Sequence, residues 1–258
     1  MAQPHIKLTS EQALPVCVVV GDPARTQKLG ALCDGGAEQI AYNREYCTLK
    51  CTHQGVSFLV TSHGIGSAGA LICFEELIKV GVKVLIRAGT AGSLQPNVVR
   101  QGDVVALTAC VRAEGASRRM IAPEYPACAS HDVVAAIEAA IDAVKQNKGA
   151  FEGSTHIGYG ITSDLFYPGV DPSLGDDFKL WGGAGVKCVE MESATLMTCA
   201  SLRGVKSGAL VAIDGSPLQW DEGNYDPEGV KVAQGKTTML RASILAAVSL
   251  TKAYEEGC

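Results

Sequence analysis

The chain has 258 residues, 47% of them hydrophobic, and a formal net charge of -5. That length and apolar content suit one large α/β domain spanning 1–258 rather than two small ones. Mild acidity without a basic stripe speaks against nucleic-acid binding by counterion release, and no apolar run approaches the roughly 20 residues that cross a bilayer.

In chain order, apolar runs predict strands at 15–20 and 56–62, and helical periodicity predicts a helix at 67–80. Strands follow at 82–86 and 103–109, helices at 129–146 and 193–203, a strand at 208–213 and a long helix at 231–255. Strands alternating with helices argue for a mainly parallel or mixed sheet covered by helices. Neither a repeat nor a linker divides the chain.

The ten cysteines include no Cys-x-x-Cys pair, and Cys17, Cys73, Cys110, Cys188 and Cys199 sit inside apolar runs. They read as reduced, buried small hydrophobes, and without clustered Cys and His the expected metal content is none. The amino-terminal Met-Ala-Gln-Pro-His-Ile-Lys has no apolar core of a secretory signal. A soluble, cytoplasmic protein is the expectation.

Three predicted strands run into glycine-bearing turns that carry a charged or hydroxyl residue: Asp22 and Arg25, then His63, then Arg87 and Thr90. Glycines let backbone amides approach an anion, and two guanidinium forks suit a phosphate. The turn expected at 87–92 lacks the Lys-Ser/Thr of a P-loop, and no Gly-x-Gly-x-x-Gly opens a helix. Further on, Val189-Glu190-Met191-Glu192-Ser193 places two carboxylates and a thioether where a strand ends or a helix starts. These acids could hold vicinal hydroxyls, or serve only as first-turn helix acids. Asp214 closes the apolar strand at 208–213, on the rim where open α/β sheets bind ligands.

Gly21-Asp22-Pro23-Ala24-Arg25, Ser62-His63-Gly64-Ile65-Gly66, Arg87-Ala88-Gly89-Thr90-Ala91-Gly92-Ser93, Val189-Glu190-Met191-Glu192 and Asp214-Gly215 occur here in order. Together they resemble the motifs of the hexameric purine nucleoside and uridine phosphorylases. Tyr42-Asn43-Arg44-Glu45-Tyr46, Cys73-Phe74-Glu75-Glu76-Leu77, Gly92-Ser93-Leu94-Gln95-Pro96, Asp214-Gly215-Ser216-Pro217 and Trp220-Asp221-Glu222-Gly223 resemble the apicomplexan purine branch.

The resemblance implies a single α/β domain with a central mixed, distorted barrel-like β-sheet flanked by helices. It implies phosphorolysis of inosine and guanosine to free base and ribose 1-phosphate, a purine salvage reaction with inorganic phosphate as co-substrate and no cofactor. Gly21, Arg25, Arg87 and Thr90 would bind phosphate, with Arg44 reaching in from a neighbouring subunit. Met191 and Glu192 would meet the ribose, and His5 would cross to the partner's 5′-hydroxyl. Asp214 would be the general acid at purine N7, with a pKa raised at an apolar strand end near other carboxylates. Tyr167, Pro217 and Trp220 are the candidates for the base wall, Trp220 equally a loop anchor. A homohexamer built as a trimer of dimers follows from the same likeness.

Three rivals stand beside this reading. Uridine phosphorylases read uracil with a Gln–Arg pair that is missing after residues 161–171, and they lack an acid matching Asp214. A nucleosidase of the same fold would have no use for Arg25, Arg44 and Arg87 around a phosphate. A non-catalytic nucleoside-binding protein would have lost the acid, the ribose carboxylate or the arginines.

Overall fold

The computed structural model describes residues 1–258 apart from 147–150, 152, 168, 172, 174, 224 and 258, and apart from the side chains at 221 and 222. Ten strands form one mixed sheet, in the order β10-β6-β8-β9-β5-β1-β4-β3-β2, with β7 (Ala127–Cys128) added beside β6. A further pairing between β10 (Lys206–Gly215) and β5 (Val84–Ser93) closes β10, β6 (Val104–Ala113), β8 (Thr155–Ser163), β9 (Cys188–Glu190) and β5 into a five-strand barrel. Outside the barrel, β5 carries on to β1 (Val16–Val20), β4 (Val56–Ser62), β3 (Tyr46–His53) and β2 (Ala37–Asn43).

The central strands are buried on both faces, which is why they read as unbroken apolar runs. Leu210 and Ala212 of β10 pack with α4 (His131–Gln146) and α7 (Val230–Glu255), whereas Ala209, Val211 and Ile213 join the cluster around Met197. Cys17, Val19, Leu59 and Leu85 pack on Phe74 and Leu77 of α2 (Ser67–Val80) and on Leu196 of α6 (Ser193–Leu202). Helices therefore cover both sides. Among the described residues no helix is long and apolar enough to cross a membrane.

Two sequence expectations change. The stretch 87–92 is not a turn; β5 continues through it to Ser93. Its glycines are required by packing instead. A Cβ on Gly89 would lie 2.6 Å from the Arg87 guanidinium, and one on Gly92 would lie 2.9 Å from Pro217 Cδ. The sheet is also larger than the predicted strands, because β2, β3, β7, β8 and β9 lie outside them, and the short helix α1 (Pro23–Gly30) likewise lies outside the predicted helices.

Strands β4, β1, β5 and β10 are mutually parallel neighbours. Their shared direction brings the segments after Val20 and Ser62, and the outer parts of β5 and β10, to one rim. Asp22 caps α1 there by accepting from Ala24 N at 2.8 Å, with Pro23 at the first helical position.

Candidate active site

A cavity of about 650 Å³ opens on this rim, lined among others by Gly21, Arg25, Arg87, Thr90, Met191, Glu192 and Asp214. Within it two guanidinium groups share a confined space. Burial, with the like charge of Arg87 next, holds Arg25 below its ordinary value, against the pull of Asp22, Asp214 and Glu192. A site that crowds cations in this way is matched to an incoming anion.

Arg87 is buried and held from three directions. Nε donates to Glu190 Oε2 at 3.0 Å, Nη2 lies 2.6 Å from Glu192 Oε2, and Nη1 lies 3.1 Å from His63 Nε2. His63 Nδ1 contacts the Gly64 carbonyl at 2.9 Å, an acceptor only, so Nδ1 carries the proton and Nε2 accepts from Arg87. Burial, then the Arg87 charge, pushes the His63 pKa well down, which keeps the ring neutral for that task. A guanidinium has more N–H donors than these contacts use, leaving some for a ligand.

The two carboxylates after β9 have different duties. Glu190 accepts from Arg87, from the Thr162 hydroxyl at 2.5 Å and from the amides of Glu192 and Ser193 at 2.9 Å. It is fully committed to holding the start of α6. Glu192 stands at the N-cap position of α6, but its side chain makes no cap bond there and instead takes the Gly66 amide at the start of α2 at 2.6 Å. The Ser67 hydroxyl donates to the Met191 carbonyl at 2.7 Å, so α2 and α6 together fix the Met191–Glu192 pair. Burial raises the Glu192 pKa, with Arg87 opposing and Glu190 adding to the rise. Each oxygen keeps lone-pair capacity for hydroxyl donors.

Asp214 stands near the carboxyl end of β10. Burial pushes its pKa from the ordinary 3.8 up to about 6, while Lys236, the Thr90 hydroxyl and Arg25 pull the other way. Of the two causes expected from the sequence, the apolar strand end accounts for the rise by desolvation, whereas the charges that act on Asp214 are the cations Lys236 and Arg25, which oppose it. The Asp214 carbonyl accepts from Asp226 N at 3.3 Å and Gln101 Nε2 at 3.4 Å, and Gly215 bridges to Tyr225. These contacts tie the segment after β10 back onto the strand.

Much of the remaining wall is apolar (Ile65, Val189, Leu165, Phe166, Phe178, Pro217, Trp220 and Tyr225), with Asp22, Glu45, Ser163 and Ser216 as polar members. Trp220 stacks on Tyr225 with centroids 4.7 Å apart, and Phe166 meets Trp220 edge-on at 5.3 Å. Pro217 and Trp220 line the cavity; Tyr167 is outside it, in an adjoining space of about 410 Å³. Glu45, Phe166 and Tyr225 line the cavity without having been singled out as ligand contacts, and only their place in the fold reveals them.

His5 and Arg44 lie outside this chain's own cavity. Arg44 is exposed at the β2–β3 turn with φ of 55°, and the neighbouring Asn43 amide donates to the His5 carbonyl at 2.7 Å. His5 is not a loose terminal residue, because its ring nitrogen Nδ1 lies 2.6 Å from Glu76 Oε1. The two residues expected to serve a neighbour thus share one surface patch.

The sequence profile of the Phosphorylase superfamily matches residues 15–249. The chain belongs to this family. It is similar to the purine nucleoside phosphorylase of Plasmodium vivax, 42% identical over 253 residues that cover 98% of each protein. It is also similar to the uridine phosphorylase of Escherichia coli, 34% identical over 221 residues, 81% of this chain and 84% of that one. The crystal structure of purine nucleoside phosphorylase from Toxoplasma gondii in complex with immucillin-H aligns with a TM-score of 0.91, at 36% identity and 98% coverage of both chains. The phosphorylase superfamily match takes in every rim residue from Gly21 to Asp214 and stops short of His5 on the amino-terminal arm.

Proposed function

We propose that this chain is a pentosyltransferase that phosphorolyses 6-oxopurine nucleosides, inosine and guanosine, to free base and ribose 1-phosphate in purine salvage. The observation that carries the reading is the sequence of chemistries in one cavity: paired guanidinium groups, a buried diol acceptor, and a carboxyl poised near neutrality. Inorganic phosphate sits between Arg25, the spare donors of Arg87, the Thr90 hydroxyl and the amide at Gly21. Glu192 accepts from the ribose 2′- and 3′-hydroxyls while Met191 packs on the sugar. The C1′–N9 bond breaks as a phosphate oxygen bonds C1′, and the electron pair moves into the purine. Asp214 delivers its proton to N7, so the base leaves neutral. Positioned phosphate charge stabilises the developing ribosyl cation on the opposite face. Phosphate is a co-substrate, and the chemistry calls on no cofactor.

The names of the Plasmodium vivax and Toxoplasma gondii relatives support the purine reading. Uridine phosphorylase is the second reading, favoured by the similarity to the Escherichia coli protein. Against it stands Asp214, a proton donor suited to a purine N7. A homohexamer built as a trimer of dimers belongs to the same proposal, with His5 and Arg44 entering a neighbour's cavity. So does a cytoplasmic setting, supported by nine described cysteines that are all free, eight of them buried.

Turnover of inosine, guanosine, adenosine and uridine, each with and without phosphate, tests the reading. Phosphate-dependent cleavage of inosine and guanosine ahead of the other two is expected. A preference for uridine would replace it with the second reading, and phosphate-independent cleavage would make the protein a nucleosidase.

A further inference from the structure

One buried carboxylate outside the cavity governs the amino-terminal arm. Glu76, on α2, is 5% exposed and directs both oxygens at residues 5 and 6. Its Oε2 accepts from the amides of His5 at 3.0 Å and Ile6 at 2.9 Å, and its Oε1 contacts His5 Nδ1 at 2.6 Å. Burial would raise this carboxyl; the Ile6 amide, with the His5 side chain and amide, outweighs it, so the net shift is downward and the group is an anion. An anionic carboxylate accepts only, so the proton shared with His5 lies on Nδ1. In the neutral ring that leaves Nε2 as a lone-pair acceptor, on a side chain that is 40% exposed. Tyr46 meets the ring edge-on at 6.3 Å, and Asn43 holds the His5 carbonyl beside Arg44. Ring orientation and tautomer are thus both set by one chain before any partner arrives.

We propose that Glu76 is a positioning residue for recognition of the nucleoside 5′-hydroxyl. It fixes His5 as an Nε2 acceptor and presents it, with Arg44, to the cavity of a second copy of this chain. This rests on the proposed phosphorolysis with His5 serving a neighbouring subunit. A merely structural role, pinning the arm for stability, would affect all nucleosides alike. A role through the 5′-hydroxyl would not.

The test is steady-state kinetics of wild type, Glu76→Gln, His5→Ala and the double variant, with inosine and 5′-deoxyinosine at saturating phosphate. Gln keeps the shape but turns an N–H donor toward His5 or the arm amides. For Glu76→Gln the expected result is a roughly tenfold loss of kcat/KM for inosine, mostly in KM, with 5′-deoxyinosine nearly unchanged. In the His5→Ala background the same change should add nothing. Equal losses on both substrates, or no loss on inosine, would overturn the proposal while leaving phosphorolysis intact. Absence of phosphate-dependent cleavage by wild type would instead remove the functional reading and this inference with it. Should Glu76→Gln not fold, imidazole ¹⁵N shifts of wild-type His5 decide the matter: a protonated Nδ1 with a bare Nε2 supports it, and the reverse tautomer overturns it.

Discussion

Arg87 Nη2 lies 2.6 Å from Glu192 Oε2, and this contact joins a proposed phosphate ligand to the proposed ribose ligand. Glu192 in turn holds the Gly66 amide at the start of α2. A substrate whose hydroxyls donate to Glu192 therefore acts on the same guanidinium that the proposed mechanism gives to phosphate. Glu192→Gln keeps the volume and removes the charge. We expect kcat/KM for inosine to fall on the order of 10²-fold, from the loss of charge-assisted hydrogen bonds to substrate and to Arg87. Steady-state assays with inosine and with 2′,3′-dideoxyinosine check this: the variant should hardly distinguish the two.

Asp214 yields opposite effects on activity and stability. As a general acid it acts protonated, so kcat/KM should decline above about pH 6, and Asp214→Asn should lower kcat by roughly 10²–10⁴-fold. Its folded-state pKa is raised above the unfolded value, so its contribution to stability is fully present below 3.8 and is lost as pH rises through about 6. At pH 7.5 the buried charge is a burden that Asn does not carry. Thermal unfolding at that pH should show the variant more stable, by up to about 2 kcal/mol, and at pH 3.5 the gain should vanish. A variant destabilised at both pH values would contradict desolvation as the cause.

Among the described residues Arg25 has no carboxylate partner as close as those of Arg87, and its pKa is held down by burial and by Arg87 itself. In the proposed mechanism the Arg25 charge meets the incoming phosphate alongside the spare donors of Arg87. Arg25→Ala should raise the KM for phosphate by roughly 10²-fold and leave nucleoside binding, read from inhibition by a substrate analogue, within a few-fold. Relief of the cation–cation repulsion should leave Tm equal or slightly higher.

Gly89→Ala tests the packing of Arg87 without touching a polar group. The new Cβ would lie 2.6 Å from Nη2 and 2.7 Å from Cζ of a guanidinium pinned by Glu190, Glu192 and His63. The expected result is about 1–3 kcal/mol lost from unfolding, read by denaturant titration, together with a raised KM for phosphate. An unchanged phosphate KM would mean that Arg87 does not hold the anion.

Much of this site could be read in the chain because the fold puts chemistry at the ends of strands that are buried on both faces. Val56–Ser62 and Ser67–Val80 have the bounds their patterns predict, and Arg87 and Asp214 mark themselves by interrupting apolar runs. Where the pattern is weak the reading stops. β2 (Ala37–Asn43) has no buried residue and β8 (Thr155–Ser163) carries two glycines, so neither shows a strand period. α1 announced itself only through Asp22 and Pro23, a cap and a first-turn proline, and eight residues are too few for a clear helical face. The division of labour between Glu190 and Glu192 is settled by which amides each one faces, a three-dimensional fact with no counterpart in a Glu-Met-Glu string. Tyr225 comes to Asp214 on a segment that folds back after β10, and the charge of Lys236 acts on it from α7, relationships that no local pattern carries.

The most direct measurement follows inosine and inorganic phosphate with the purified protein by ³¹P NMR, with hypoxanthine quantified alongside. Ribose 1-phosphate appearing in equal amount to hypoxanthine, and neither forming without phosphate, is the predicted result. Hypoxanthine accompanied by free ribose, with the phosphate signal unchanged, would contradict the role of Arg25 and Arg87 and with it the phosphorolytic account.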